Sequence, residues 1–348
     1  MLRLVAHARK LAVGSALAIA SLGIVIPIPA AAAPAGASTW DVTVGGGDFF
    51  QGSQLTRFYP NNITVRPGDT VSFAWAGFHT VTFNEPAGFT VFDVFKGPNG
   101  ATTLDSRSTY ILAQPGFGGP GSPPPANFDL AIAGSLPDGS YNFHCSLHQF
   151  MKGVINVTRG ALPATNADNQ TLGNAQAAAD LARLTSLDNR TTRDAADKSG
   201  EAVAGVSTKA GDMTKFYPSA ITVRAGQQLN FASLDLQDPH TVTFGPVAGN
   251  PFDPLTGVFP SGPGNPNAFD GTSALNSGYL FDESQSDYWN IKGSPAAALG
   301  PRTEWSVTFT TPGTYNFYCD LHGFRDPATG QVFGMSGTVT VLSAGSGG

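Results

Sequence analysis

Cysteine is almost absent from this chain, with two in 348 residues, a count that in an exported protein ordinarily allows one disulfide and no more. Charge is sparse too: Asp, Glu, Lys and Arg make up 13% of residues, and acids outnumber Lys and Arg by 25 to 19. That balance excludes nucleic acid as a partner, which calls for a basic face. Histidine is limited to six residues and methionine to four. What the chain has in quantity is Gly (42) and Pro (26), beside many Thr, Val and Phe, the composition of short strands and long turns.

At the start, Arg3, Arg9 and Lys10 precede an apolar run from Leu11 to Ile28 and the string Ala30 to Ala33. This is the order of a secretory signal peptide over residues 1–37, with cleavage after Ala32 or Ala37 at small-x-small positions. An uncleaved anchor is the rival, since the run is near the lower limit for spanning; the Pro- and Ala-rich flank matches a processing site better than a stop-transfer segment. No Cys follows the run, which excludes lipoprotein anchoring. The expectation is an exported protein, periplasmic, in the cell envelope or secreted, with no membrane span after leader cleavage. Without the three leader cations, 16 bases face 25 acids, a net charge of −9.

The rest of the chain is written twice. Phe58-Tyr59-Pro60-Asn61-Asn62-Ile63-Thr64-Val65-Arg66-Pro67-Gly68 returns 158 positions later as Phe216-Tyr217-Pro218-Ser219-Ala220-Ile221-Thr222-Val223-Arg224-Ala225-Gly226. His79-Thr80-Val81-Thr82-Phe83 returns as His240-Thr241-Val242-Thr243-Phe244. Tyr141-Asn142-Phe143-His144-Cys145-Ser146-Leu147-His148 returns as Tyr315-Asn316-Phe317-Tyr318-Cys319-Asp320-Leu321-His322. The period is far too long for a solenoid, so this is a duplicated domain. We expect a first domain over 38–158, a linker over 159–200 and a second domain over 201–344.

Period-two alternation supplies the elements. Ile63 and Val65, then Val71, Phe73 and Trp75, alternate with polar neighbours on either side of Pro67-Gly68-Asp69, which predicts a hairpin. Tyr141, Phe143 and Cys145 share one strand face, Asn142 and His144 the other. Many such strands make each half an all-β sandwich. The linker loses its aromatic residues; Ala177, Leu181 and Leu184 have helical spacing within Asn174 to Asp188, and both a short helix and a solvated coil fit. Gly116 to Pro125 and Gly262 to Asn267 are expected as long surface loops.

Both cysteines fall at the same place in the two copies, each followed three residues later by His and farther on by Met. One bridge between equivalent positions of two repeats is a poorer account than a ligand role. A thiolate, two imidazoles and a weak thioether are the donors of a type 1 copper site. The sets are His79, Cys145, His148 and Met151, and His240, Cys319, His322 and Met335. His79 heads a strand expected to meet the Cys loop from across the sandwich. Met335 stands 13 positions after His322, beyond a 12-residue segment, Gly323 to Gly334, so Gln331 is a rival axial ligand. Asp326-Pro327-Ala328-Thr329-Gly330 in that segment is turn-rich and suits a small hairpin.

With these residues in view, both halves resemble the plastocyanin and azurin family of cupredoxins. His144 to Met151 is similar in spacing to amicyanin, and Asp238-Pro239-His240 with Pro312-Gly313-Thr314-Tyr315-Asn316-Phe317-Tyr318-Cys319 is similar to plastocyanin. The departures are the 65 and 78 residues between first His and Cys, and the segment before Met335. The resemblance implies two tandem cupredoxin-like Greek-key β-sandwiches with two type 1 coppers per chain. It also implies single-electron transfer with redox protein partners. His148 and His322 would be the exit paths, flanked by Leu147, Phe150 and Phe78 and by Leu321 and Phe324. A non-redox copper-buffering protein of the cell envelope is the alternative. An enzyme ranks third: outside the two ligand sets only His7 and His144 remain, too few for a catalytic or trinuclear copper centre. His144 precedes the Cys, but the second copy has Tyr318 there, and His144 is expected to face away from the metal.

Overall fold

Alternating stretches become strands wherever one face has a core to cover. The computed structural model describes residues 36–48, 51–116, 124–196, 198–246, 263–291 and 301–345. The leader through residue 35 and most of the expected loop Gly116–Pro125 lie outside them. The first half contains β1 (Thr39–Asp48), β2 (Ser53–Tyr59), β3 (Asn62–Val65), β4 (Thr70–Ala76), β5 (Val81–Phe83), a short helix α1 (Val91–Val94), β6 (Thr103–Leu104), β7 (Ile111–Ala113), β8 (Phe128–Ile132), β9 (Gly139–His144) and β10 (Lys152–Val157). Helix α2 (Asn166–Ala196) follows. The second half contains β11 (Glu201–Thr208), β12 (Gly211–Tyr217), β13 (Ala220–Arg224), β14 (Gln228–Leu234), β15 (Thr243–Phe244), β16 (Leu275–Asn276), helix α3 (Glu283–Tyr288), β17 (Glu304–Thr308), β18 (Gly313–Arg325) and β19 (Val332–Leu342).

Each half is a sandwich. One sheet of the first runs β3-β10-β9-β5-β7, and one sheet of the second β13-β19-β18-β15-β16, the same order strand for strand. The facing sheets are joined into one nine-stranded sheet, β17-β14-β11-β12-β2-β1-β4-β8-β6. The cores repeat as well: Phe58, Phe73, Phe83 and Phe143 pack on one another in the first, and Phe216, Phe231, Phe244 and Phe317 in the second.

The turn Pro67-Gly68-Asp69 does not close a hairpin. β3 pairs with β10, whereas β4 lies between β1 and β8 in the other sheet. Alternation settles which face is buried and leaves the neighbour open; here the chain crosses between sheets. Asp69 pins the crossing, accepting from Ser38 N–H at 2.9 Å, Trp40 Nε1–H at 2.8 Å and Arg66 N–H at 2.8 Å.

The joint between the halves is the pairing of β12 with β2, in which Gly211 faces Leu55, Asp212 faces Gln54 and Met213 faces Ser53. Subtracting the repeat offset of 158 turns these pairs into one another, so a local two-fold axis passes between Gln54 and Asp212. Helix α2 lies over this joint and is a full helix where a short one or a coil was expected. A Thr165–Asp168 box caps it: Thr165 N–H donates to Asp168 Oδ2 at 2.9 Å and Asp168 N–H to Thr165 Oγ1 at 3.2 Å. Its buried stripe is Asn169, Gly173, Asp180, Leu184 and Ala195; Leu181 is exposed. At Gly173 a side chain would run into the backbone of Tyr59 and Pro60. Asp180 accepts from Arg57 Nη1 (3.0 Å) and Tyr59 Oη (3.2 Å) of β2. Eight residues on, Asp188 accepts from the equivalent Lys215 Nζ (3.0 Å) and Tyr217 Oη (2.6 Å) of β12.

Candidate metal centres

In the first half, β9 ends at His144 and the chain turns sharply before β10. Cys145 N–H donates to Met151 O at 2.9 Å and Met151 N–H to His148 O at 3.0 Å, so three of the four expected ligands sit in one tight loop. His79 enters from the segment between β4 and β5. Its strand is not across the sandwich from the loop: β5 is the neighbour of β9 in the same sheet, with Thr82 opposite His144. His79, Cys145, His148 and Met151 are all buried. His79 Nδ1 and His148 Nδ1 are 3.0 Å apart, and Cys145 Sγ is 3.3 Å from His148 Nδ1.

The second half repeats the arrangement. Cys319 Sγ lies 3.9 Å from His240 Nδ1 and 3.6 Å from His322 Nδ1. In each trio the ligand atoms all fall within 4.8 Å of one another. Met335 is buried with Cys319 in one core cluster. It directly precedes Ser336, which pairs with Tyr318, as Met151 directly precedes Lys152, which pairs with His144. The 12-residue segment folds as an extension of β18 and β19, with Phe324 opposite Phe333 and Arg325 opposite Val332, and Asp326 N–H donates to Gln331 O at 2.8 Å across the turn. Gln331 is exposed there.

Two buried imidazole nitrogens and one buried sulfur facing a common point suit a soft, N- and S-binding metal such as copper. The cysteines are not bonded to each other. Burial pushes the Cys145 thiol up, but the charge of His148 and hydrogen bonds from His148 and His79 outweigh it and hold the group well below the usual thiol range. Cys319 is held down likewise, against burial, by hydrogen bonds from His240 and His322. A thiolate is the form that binds metal. Thr80 N–H and Thr241 N–H each donate to the adjacent sulfur at 3.3 Å. Thr80 Oγ1 and Thr241 Oγ1 accept from Ser146 N–H and Asp320 N–H, both at 2.8 Å, which ties the His strand to the Cys loop. These threonines stand in the repeated His-Thr-Val-Thr-Phe string, a signal that was there to be read.

Glycine gives the first histidine of each centre its room. A Cβ on Gly45 would overlap His79 Nε2, and one on Gly205 would overlap His240 Nε2; both glycines have positive φ, +83° and +74°. The two centres then differ. His240 Nε2 bonds Asp235 Oδ2 at 3.0 Å, while His79 Nε2 has no hydrogen-bond partner among the described residues. His144 faces away from the metal set and pairs with Glu85 Oε1 at 2.9 Å.

The expected exit at His148 is closed. Tyr288 Oη, at the end of α3, donates to Cys145 O, and Trp289 Nε1–H donates to Leu147 O at 2.7 Å. Gln149 Nε2 donates to Leu236 O at 2.7 Å. The second half therefore covers the first half's Cys loop. His148 Nε2 meets Asp238 Oδ1 at 3.1 Å, and His322 Nε2 meets Asp238 Oδ2 at 3.4 Å.

Comparison with known proteins gives the family. Plastocyanin of Dryopteris crassirhizoma is 31% identical over 107 residues, covering 29% of this chain and 87% of the fern protein. The chain belongs to the plastocyanin/azurin family. The family profile "Copper binding proteins, plastocyanin/azurin family" matches residues 202–342, the second half. Chloroplastic plastocyanin of Physcomitrium patens is 32% identical over 126 residues, 36% of this chain; the match spans about half of the moss protein, 49%. Among solved structures, a mutant plastocyanin of fern has a TM-score of 0.22 at 23% identity, covering 41% of this chain and 99% of that one. A mutant amicyanin in the Cu(I) form has a TM-score of 0.21 at 19% identity, covering 34% and 82%.

Proposed function

We propose that the chain is an exported two-centre blue copper protein that passes single electrons between redox protein partners. His79, Cys145, His148 and Met151 would hold one copper, and His240, Cys319, His322 and Met335 the other. The observation that carries this is the twofold occurrence of a His-His-Cys trio, buried except for a partly exposed His322, with both Nδ1 atoms and the sulfur facing inward. Bound copper supplies a one-electron couple. The chain's own part is to hold the donors still: the loop is closed by backbone hydrogen bonds, the sulfur is fixed by Thr80 or Thr241, and the first imidazole is seated against glycine. A cage that barely moves between oxidation states leaves little to reorganise. The histidines outside the two sets cannot build a catalytic copper, so no nitrite reductase or phenol oxidase turnover is expected.

The test is metal analysis and absorption of the full chain. The wild type should bind two coppers and be intensely blue from thiolate-to-copper charge transfer. Cys145→Ser and Cys319→Ser should each lose one copper and part of the colour. A disulfide between the cysteines, or no copper after loading, would overturn the proposal. Sluggish redox with ready copper transfer to a chelator would favour buffering, against which the burial of both trios argues.

A further inference from the structure

The second histidine of each trio turns its Nε2 away from the inward-facing Nδ1, and both Nε2 atoms arrive at one residue. Asp238 offers Oδ1 to His148 of the first half and Oδ2 to His322 of the second. Its place is held from both sides. Asp235 Oδ1 accepts from Gln237 N–H at 2.7 Å and Asp238 N–H at 3.2 Å, and Gln54 Nε2 of β2 donates to Asp238 Oδ2 at 3.0 Å. We propose that Asp238 is a relay joining the two centres, so that an electron passes from one to the other within a single chain. This rests on the two-copper reading above.

Three features support it. A carboxylate has no proton of its own to offer, so an imidazole that faces it places its proton on Nε2 and keeps the Nδ1 lone pair for metal, with the ring held in that orientation; at His148 the Gln54 amide Nε2 also lies 3.2 Å from Nε2. The contacts on either side of Asp238 are 3.1 Å to His148 Nε2 and 3.4 Å to His322 Nε2, and the path from ring to ring is only the three atoms O–C–O. Finally, the halves are held together by the β2–β12 pairing and by α3 over the Cys145 loop, so the gap is set by the fold rather than by a diffusing linker. The step balances simply. One electron leaves the reduced centre, which becomes oxidised, and arrives at the oxidised centre, which becomes reduced; both Nε2 protons stay on their rings.

The experiment is pulse reduction of the oxidised, copper-loaded full chain with less than one electron per molecule, followed by absorption at each centre, with the Cys145→Ser and Cys319→Ser spectra as references. Because His240 has Asp235 and His79 has no such partner among the described residues, the centres are inequivalent and the electron redistributes. We expect a first-order phase whose rate does not change with protein concentration. Asp238→Ala should slow it by about tenfold or more. Asp238→Asn, the same size but able to accept from only one of the two N–H groups through its single oxygen, should slow it as well, which a purely structural role would not predict. In the diamagnetic Cu(I) protein, slowly exchanging Nε2 protons of His148 and His322 should appear by NMR and be lost in Asp238→Ala. Redistribution only at a rate proportional to protein concentration would overturn the relay, whatever the variants do; so would a first-order phase unchanged in Asp238→Asn. Fewer than two coppers, or no charge-transfer band, is seen before any pulse and would sink the copper reading instead.

Discussion

Met335 is the proposed ligand for which the structure says most beyond the sequence. It is buried beside Cys319 at the register of Met151, while Gln331 sits exposed at the far end of a hairpin extension. Exchanging a soft thioether for a harder amide oxygen favours oxidised copper. In the full chain with the first centre silenced by Cys145→Ser, Met335→Gln should therefore lower the second centre's reduction potential and Gln331→Ala should leave it unchanged; voltammetry giving the reverse would move the ligand to Gln331. The candidate ligands were legible because residue type, spacing and repetition all coincided on them. The contacts of Asp235 and Asp238 were not, although Asp238 stands in the Asp238-Pro239-His240 string. Both lie in the stretch where the second copy has three more residues than the first between its Phe and its His, Phe231 to His240 against Phe73 to His79, so the repeat does not mark them. A lone acid in a loop also reads as solvated until a fold brings imidazoles to it.

Among the elements, α2 was the least legible. Helices announce themselves by large apolar residues at a 3.6 period, and its buried stripe, Leu184 apart, is instead small or polar. That chemistry follows from what it covers: two strands whose Arg57, Tyr59, Lys215 and Tyr217 need acceptors. Removing one acceptor strands a buried phenol, at a cost of about 1–3 kcal/mol. Asp180→Ala should lower stability by that amount in urea titrations, and Tyr59→Phe in the Asp180→Ala background should return part of it. No recovery would mean that Asp180 acts chiefly through Arg57 and Arg183, which it also meets. The hairpin between His322 and Met335 was legible, since Asp326-Pro327-Ala328-Thr329-Gly330 is a turn by its residues alone. The arch at Pro67-Gly68-Asp69 was not, because a turn looks the same whether the chain returns to its own sheet or crosses to the other.

At the scale of the molecule, duplication could be read directly, but the way the copies meet could not: β2 and β12 carry the same alternation whether an edge faces water or another strand. Their pairing makes one sheet run through both cores, and α2 bridges it. The metal-free chain should therefore unfold in a single calorimetric transition with van't Hoff and calorimetric enthalpies in agreement; two separated transitions would show that the joint is weak. The register of that joint maps onto itself, which is the signature of an isologous contact, the kind two identical subunits make. Had two separate subunits made it, each residue on the axis would have met its own copy. Position 54 would face an identical amide, or else two carboxylates would share a buried site. One covalent chain is free of that identity. Gln54 can stand opposite Asp212, and one aspartate can serve two histidines. On the two-copper proposal, two identical centres would trade an electron with no preference, whereas the fused and unequal pair would have a downhill side, a direction that a symmetric pair cannot possess.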